Sequence, residues 1–193
     1  NTATASGGAL ALTADASAQM NEITAADNTA AADGGFLYGA ASEVTLYNST
    51  IASGAANNGA GIYLDAGSRG GIYNTLFEEN AAAGNGGALG IHTDGGKVTV
   101  HSSTFTKNTA VKGGALEISD KSVVELYKNT ANENSADQGG FLYAGTAGTA
   151  VTISDLTVSG NTATVSAVDL NKLDDVIGKG VDTGMGKEGY SNI

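Results

Sequence analysis

Three observations predict an all-β solenoid, a parallel β-helix. Gly-rich units recur at nearly constant spacing, each unit holds short stretches of alternating apolar residues, and Pro is absent from all 193 positions. Gly pairs or their equivalents start at residues 7, 34, 59, 86, 113, 139 and 167, a period of 25–28 residues. Gly59-Ala60 and Ala167-Val168 stand in for the pair in two units. The spacing predicts about six to seven coils over residues 1–170, followed by a Gly-rich, non-repeating tail over 171–193 that serves as a cap or an inter-protomer segment.

Within a unit the elements follow in order. The first is the Gly pair, where Gly permits positive φ, a tight corner and close stacking of coils. Next comes a strand with inward positions Leu10/Leu12, Ile62/Leu64, Leu89/Ile91 and Leu116/Ile118. A second strand repeats V-x-V: Val44/Leu46, Val98/Val100, Val124/Leu126 and Val151/Ile153. A third apolar point, Ile51, Phe77, Phe105 or Val158, precedes a closing Asn. Three short strands per coil are expected. The closing residues Asn28, Asn80, Asn108, Asn134 and Asn161 form an expected structural ladder of side-chain amides, with Gly54 in one gap and Asn1 at the same phase. The lack of Pro agrees with strands that pair on both edges and need every N–H.

The GGA-apolar and F-x-x-N motifs in one register resemble the repeats of the chlamydial polymorphic outer-membrane proteins and other autotransporter passengers. They stand here as GGAL at Gly7–Leu10, Gly86–Leu89 and Gly113–Leu116, FEEN at Phe77–Asn80 and FTKN at Phe105–Asn108. GGFL at Gly34–Leu37 and Gly139–Leu142 and VSGN at Val158–Asn161 are weaker copies. The resemblance implies a right-handed β-helix, an extracellular or cell-surface location, and a role in adhesion or surface architecture. The family's Cys residues and its translocator barrel have no counterpart in this sequence.

Composition excludes other chemistry. Without Cys there is no disulfide framework and no thiolate nucleophile or ligand. A net charge of −11, with Arg69 the single Arg, opposes nucleic-acid binding. No apolar run is long enough for a transmembrane helix. His92 and His101, the two histidines, fall on different corners without metal-site spacing. Asp15, Asp65, Asp94 and Asp120 recur in turns and read as solvated turn residues, with a calcium row as the alternative. No catalytic set, metal or cofactor is expected, and an enzyme that cleaves polysaccharide is the minority reading.

The informative side chains are aromatic. One outward column reads Ala11, Tyr38, Tyr63, Gly90, Glu117, Tyr143, and a second reads Asn21, Tyr47, Tyr73, His101, Tyr127, Ser154. Phe36 and Phe141 flank the first column and are expected to point outward. Two readings stand: the rings stabilise neighbouring coils, or Phe36, Tyr38, Tyr63, Phe141, Tyr143, Tyr47, Tyr73, His101 and Tyr127 form a contact surface. The partners expected for such a surface are another copy, placed laterally or head to tail in a filament, a host or cell-surface protein, or a glycan. The alternative function is a polysaccharide-binding or polysaccharide-degrading β-helix. The similarity of NTATASGGAL at the start to NTATVSAVDL at Asn161–Leu170 fits either a segment of a longer array or head-to-tail stacking of protomers, with the tail crossing to the next one.

Overall fold

In a computed structural model, which describes residues 1–164, the chain winds through six coils whose strands stack into four parallel sheets. The Ala167-Val168 unit and the 171–193 tail lie outside the described residues. Among the described residues every regular element is a strand, and no helix is long and apolar enough to cross a membrane.

Four faces result, rather than the three strands per coil expected. Face 1 stacks very short strands such as Thr29–Ala30, Ala81–Ala82 and Ser135–Gln138. Face 2 stacks three-residue strands, including Leu37–Gly39, Ile62–Leu64, Leu89–Ile91, Leu116–Ile118 and Leu142–Ala144. Face 3 is the widest, with five-residue strands Ser17–Asn21, Glu43–Tyr47, Arg69–Tyr73, Lys97–His101, Val123–Tyr127 and Ala150–Ser154. Face 4 includes Thr50–Ala52, Leu76–Glu78 and Thr104–Thr106. Face 1 escaped the sequence reading because its short strands are built from small residues that carry no apolar alternation.

Single residues in the left-handed region make the corners. Between faces 3 and 4 they are Glu22, Asn48, Asn74, Ser102, Lys128 and Asp155, with φ from 48° to 57°. Between faces 4 and 1 they are Asp27, Ser53, Glu79, Lys107, Glu133 and Gly160. Polar side chains at these positions point to water while the chain reverses direction. At the Gly pairs the first Gly is left-handed, as Gly86 and Gly113 are at φ 63°. The second, such as Gly87 or Gly114, keeps φ negative, and an added Cβ there would collide with the carbonyl of the Gly one coil on.

The core runs the length of the rod. Leu37, Leu46, Ile62, Ile72, Phe77, Leu89, Val98, Phe105, Leu116 and Leu126 are all at most 1% exposed. Phe36 and Phe141 belong to this core, at 4% and 2% exposed, which corrects their expected outward placement. They occupy the corner just before face 2, where the bend turns two successive side chains inward and strict alternation fails. The same corner holds Gly61, Ala88 and Ala115 in other coils. At Gly61 an added Cβ would lie 3.2 Å from Phe77 Cδ1, so small corner residues make room for the large Phe on face 4. Phe141 in turn meets Phe105 at 6.0 Å between ring centroids, above the smaller Ala131.

The closing Asn residues lie inside. Asn80 Nδ2 donates to Asn108 Oδ1 at 3.0 Å, Asn108 Nδ2 to Asn134 Oδ1 at 2.9 Å, and Asn134 Nδ2 to Asn161 Oδ1 at 2.8 Å. Asn1 Nδ2 donates to Asn28 Oδ1 at 2.8 Å. At the gap, the Gly54 N–H donates to Asn80 Oδ1, and a Cβ on Gly54 would collide with the Ala60 carbonyl.

Candidate interaction surface

Backbone register places both outward columns where alternation puts them. On face 2, Ala11 pairs with Tyr38, Tyr38 with Tyr63, Tyr63 with Gly90, Gly90 with Glu117 and Glu117 with Tyr143. On face 3, Asn21 pairs with Tyr47, Tyr47 with Tyr73, Tyr73 with His101, His101 with Tyr127 and Tyr127 with Ser154.

The face 3 column is continuous. Tyr47 and Tyr73 stack with centroids 5.0 Å apart and planes at 15°. His101 tilts against Tyr73 at 6.3 Å and against Tyr127 at 4.8 Å. Lys128 Nζ covers the Tyr127 ring at 4.9 Å from its centroid. The rings are therefore packed on one another and half-buried, and the Tyr73 ring folds back along its strand so that its hydroxyl end lies over Gly71. Beside this column runs an exposed amide ladder: Asn74 Nδ2 donates to Asn48 Oδ1 and Asn48 Nδ2 to Asn21 Oδ1, each at 2.8 Å. That ladder was not anticipated, although the Y-N-S and Y-N-T pairs at Tyr47–Ser49 and Tyr73–Thr75 signal it. A shallow depression continues past the corner, lined by Asn48, Asn74, Thr50, Thr75, Ser102 and Thr104 among others.

Charge is distributed unevenly. The charged residues in the face 3 strands are Glu43, Arg69, Lys97 and Glu125, two of each sign. Arg69 pairs with Glu43 at 2.9 Å and Lys97 with Glu125 at 2.8 Å, both across adjacent coils. Much of the acid sits instead on corners and turns, at Asp15, Glu22, Asp27, Glu79, Asp94, Asp120, Glu133 and Asp155. The face 3 strands thus carry no net charge on a molecule of net charge −11.

Face 2 is interrupted. Tyr38 and Tyr63 stack at 6.1 Å and 7°, and the Tyr38 hydroxyl donates to Asp65 Oδ2 at 2.7 Å. Burial, reinforced by that carboxylate, pushes the Tyr38 hydroxyl up to about 12. Burial and the surrounding carboxylates raise Tyr63 as well. The Tyr63 ring lies over Gly90, where a Cβ would collide with it. Its neighbour there is His92, 5.0 Å away between centroids. His92 in turn contacts Glu117, Ser119 and Asp120 of the next coil. Tyr143 resumes the column, with Lys112 Nζ 5.0 Å above its ring.

Three of the four turn carboxylates have side-chain partners, each on an adjacent coil. Asp65 accepts from Tyr38 and from the Ala66 N–H, Asp94 pairs with Lys121 at 3.6 Å, and Asp120 with His92 at 3.0 Å. Among the described residues no His, Cys, Asp and Glu side chains converge in a group of three suited to a metal ion.

No curated protein and no solved structure matches this chain. The family model for the right-handed β-helix region matches residues 8–174, most of the chain. Parallel coils, the buried Asn ladder and that match together assign the chain to the right-handed β-helix family.

Proposed function

We propose that this chain is a non-enzymatic structural or adhesive protein, secreted or displayed at a cell surface, that works by lateral contact through face 3. The carrying observation is that its widest sheet is charge-balanced and bears the aromatic column, while corners and turns hold much of the acid. Interface cores are depleted in charge and enriched in Tyr, and a flat self-complementary sheet face suits a second copy of the same rod related by a twofold axis. The resemblance to autotransporter passenger repeats supports the surface location and the adhesive role.

The test uses beads coated with the folded chain. Beads carrying wild type are expected to clump with one another, and beads carrying the triple variant Tyr47→Ser, Tyr73→Ser, Tyr127→Ser are expected to stay dispersed while its circular dichroism remains that of a β-rich protein. Dispersed wild-type beads, or equal clumping of both, would overturn the reading.

A second reading, a β-helix that binds polysaccharide, is favoured by the uncharged amide and hydroxyl lining of the depression beside the column. Retention of the wild type on a neutral polysaccharide matrix, lost in Asn74→Ala, together with dispersed beads, is the result expected of that reading.

A further inference from the structure

The cluster on face 2 stands apart from the face 3 surface. His92 follows strand Leu89–Ile91, and its side chain is only 18% exposed. Its Nε2 meets Glu117 Oε2, and its Nδ1 meets Asp120 Oδ2 at 3.0 Å. The Glu117 side chain is 5% exposed although strand alternation aims it outward. Its surroundings explain this: the Tyr63 ring lies over Gly90, the residue paired with Glu117, and the imidazole beside that ring contacts the Glu117 carboxylate. Ser119 Oγ lies 3.0 Å and 3.1 Å from the two ring nitrogens.

A neutral imidazole has one N–H and one lone pair. Two carboxylates, one on each nitrogen, are both satisfied only when both nitrogens carry protons. The arrangement is therefore built for an imidazolium, which also lies against the Tyr63 ring as a cation against a π face. Deprotonation removes the positive charge opposite the nearly buried Glu117 anion and, in either tautomer, turns a lone pair toward one of the two carboxylates; among the described residues no other cation pairs with Glu117.

We infer that His92 is a proton-operated latch: protonated, it holds two carboxylates of the next coil and covers the open end of the Tyr38–Tyr63 stack; neutral, it keeps only one of them, loses the charge opposite Glu117, and loosens both the link between coils and its cover over that stack. The groups facing it are Tyr63 from the preceding coil, whose hydroxyl in turn feels Asp33 and Asp65, and Glu117, Ser119 and Asp120 from the following coil. Lys121 is engaged by Asp94. Burial works against the charged ring, but the hydrogen bonds and charges of Glu117 and Asp120 outweigh it and raise the His92 pKa above its ordinary 6.5. The latch's contribution to stability is thus fully present below about 6.5, the value in an unfolded chain, and is lost as pH rises through the raised folded value.

The test is an NMR titration of both imidazoles in the intact protein. The His92 midpoint is expected above 6.5 and is expected to fall in Glu117→Gln, a change of charge at nearly constant shape. Asp120→Asn, at an exposed position, provides a second variant with the same expected direction. Amide hydrogen exchange in the turn 93–96 is expected to speed up as pH rises through the midpoint, beyond the ordinary base catalysis seen at other turns. In His92→Gln that extra pH dependence is expected to vanish. A wild-type midpoint at or below 6.5, or one unmoved by both carboxylate changes, overturns the inference.

Discussion

Asn108 uses its whole side-chain hydrogen-bonding capacity in a place that is 0% exposed. Its Oδ1 accepts from the N–H and the Nδ2 of Asn80, and its Nδ2 donates to Phe77 O and Asn134 Oδ1. Asn108→Ala leaves buried donors and acceptors on both neighbouring coils unpaired, at a cost of about 3 kcal/mol or more, measurable by chemical denaturation. Asn108→Asp keeps the shape but lacks both donors and buries a charge, so it is expected to be no better than Ala. At this scale the sequence was most legible where spacing alone decides: the ladder phase and the pairings within the Tyr columns. It failed at Phe36 and Phe141, because alternation describes a strand and those residues lie on a bend. The His92 partners were also within reach of spacing, since Glu117 and Asp120 follow it by 25 and 28 residues, one coil on. Alternation assigns Glu117 to the outward strand column and Asp120 to the turn row, and the contact with His92 crosses from one to the other.

Face 3 shows how an element departs from its own consensus with reason. Five of its six strands carry a side chain at the first inward position, from Ala18 through Val44, Val98 and Val124 to Val151, and the sixth has Gly70. Gly70 has φ 151°, and a Cβ there would collide with the Val44 carbonyl. The next residue, Gly71, lies beneath the Tyr73 ring, which a Cβ would also strike. Restoring the consensus with Gly70→Val is therefore expected to destabilise the protein, by more than about 2 kcal/mol, and thermal unfolding reads the effect. A consensus argument from the sequence alone gives the opposite sign. The strand and its apolar repeat were visible in the sequence, but the approach of the adjacent coil's carbonyl was not.

For the whole molecule, two effects oppose one another: a charge of −11, which repels like rods, and the proposed contact through the balanced aromatic face. The Debye length falls from about 30 Å at 0.01 M salt to about 8 Å at 0.15 M. Rods that meet through face 3 are then expected to associate more strongly as salt is added, whereas contacts made by the acidic corners with a basic partner weaken. Light scattering across a salt series distinguishes the two. The fold class and the coil count at this scale followed from the Gly period. The neutrality of face 3 did not, because it depends on which turn each acid occupies, and a composition counts all acids alike.

The most direct test of lateral contact through face 3 is sedimentation velocity over a concentration series at 0.15 M salt, a condition where repulsion is largely screened. Wild type is expected to shift from monomer toward dimer as concentration rises, and the Tyr47→Ser, Tyr73→Ser, Tyr127→Ser variant is expected to stay monomeric while folded. A wild type that remains monomeric throughout, or a variant that dimerises equally well, contradicts the account.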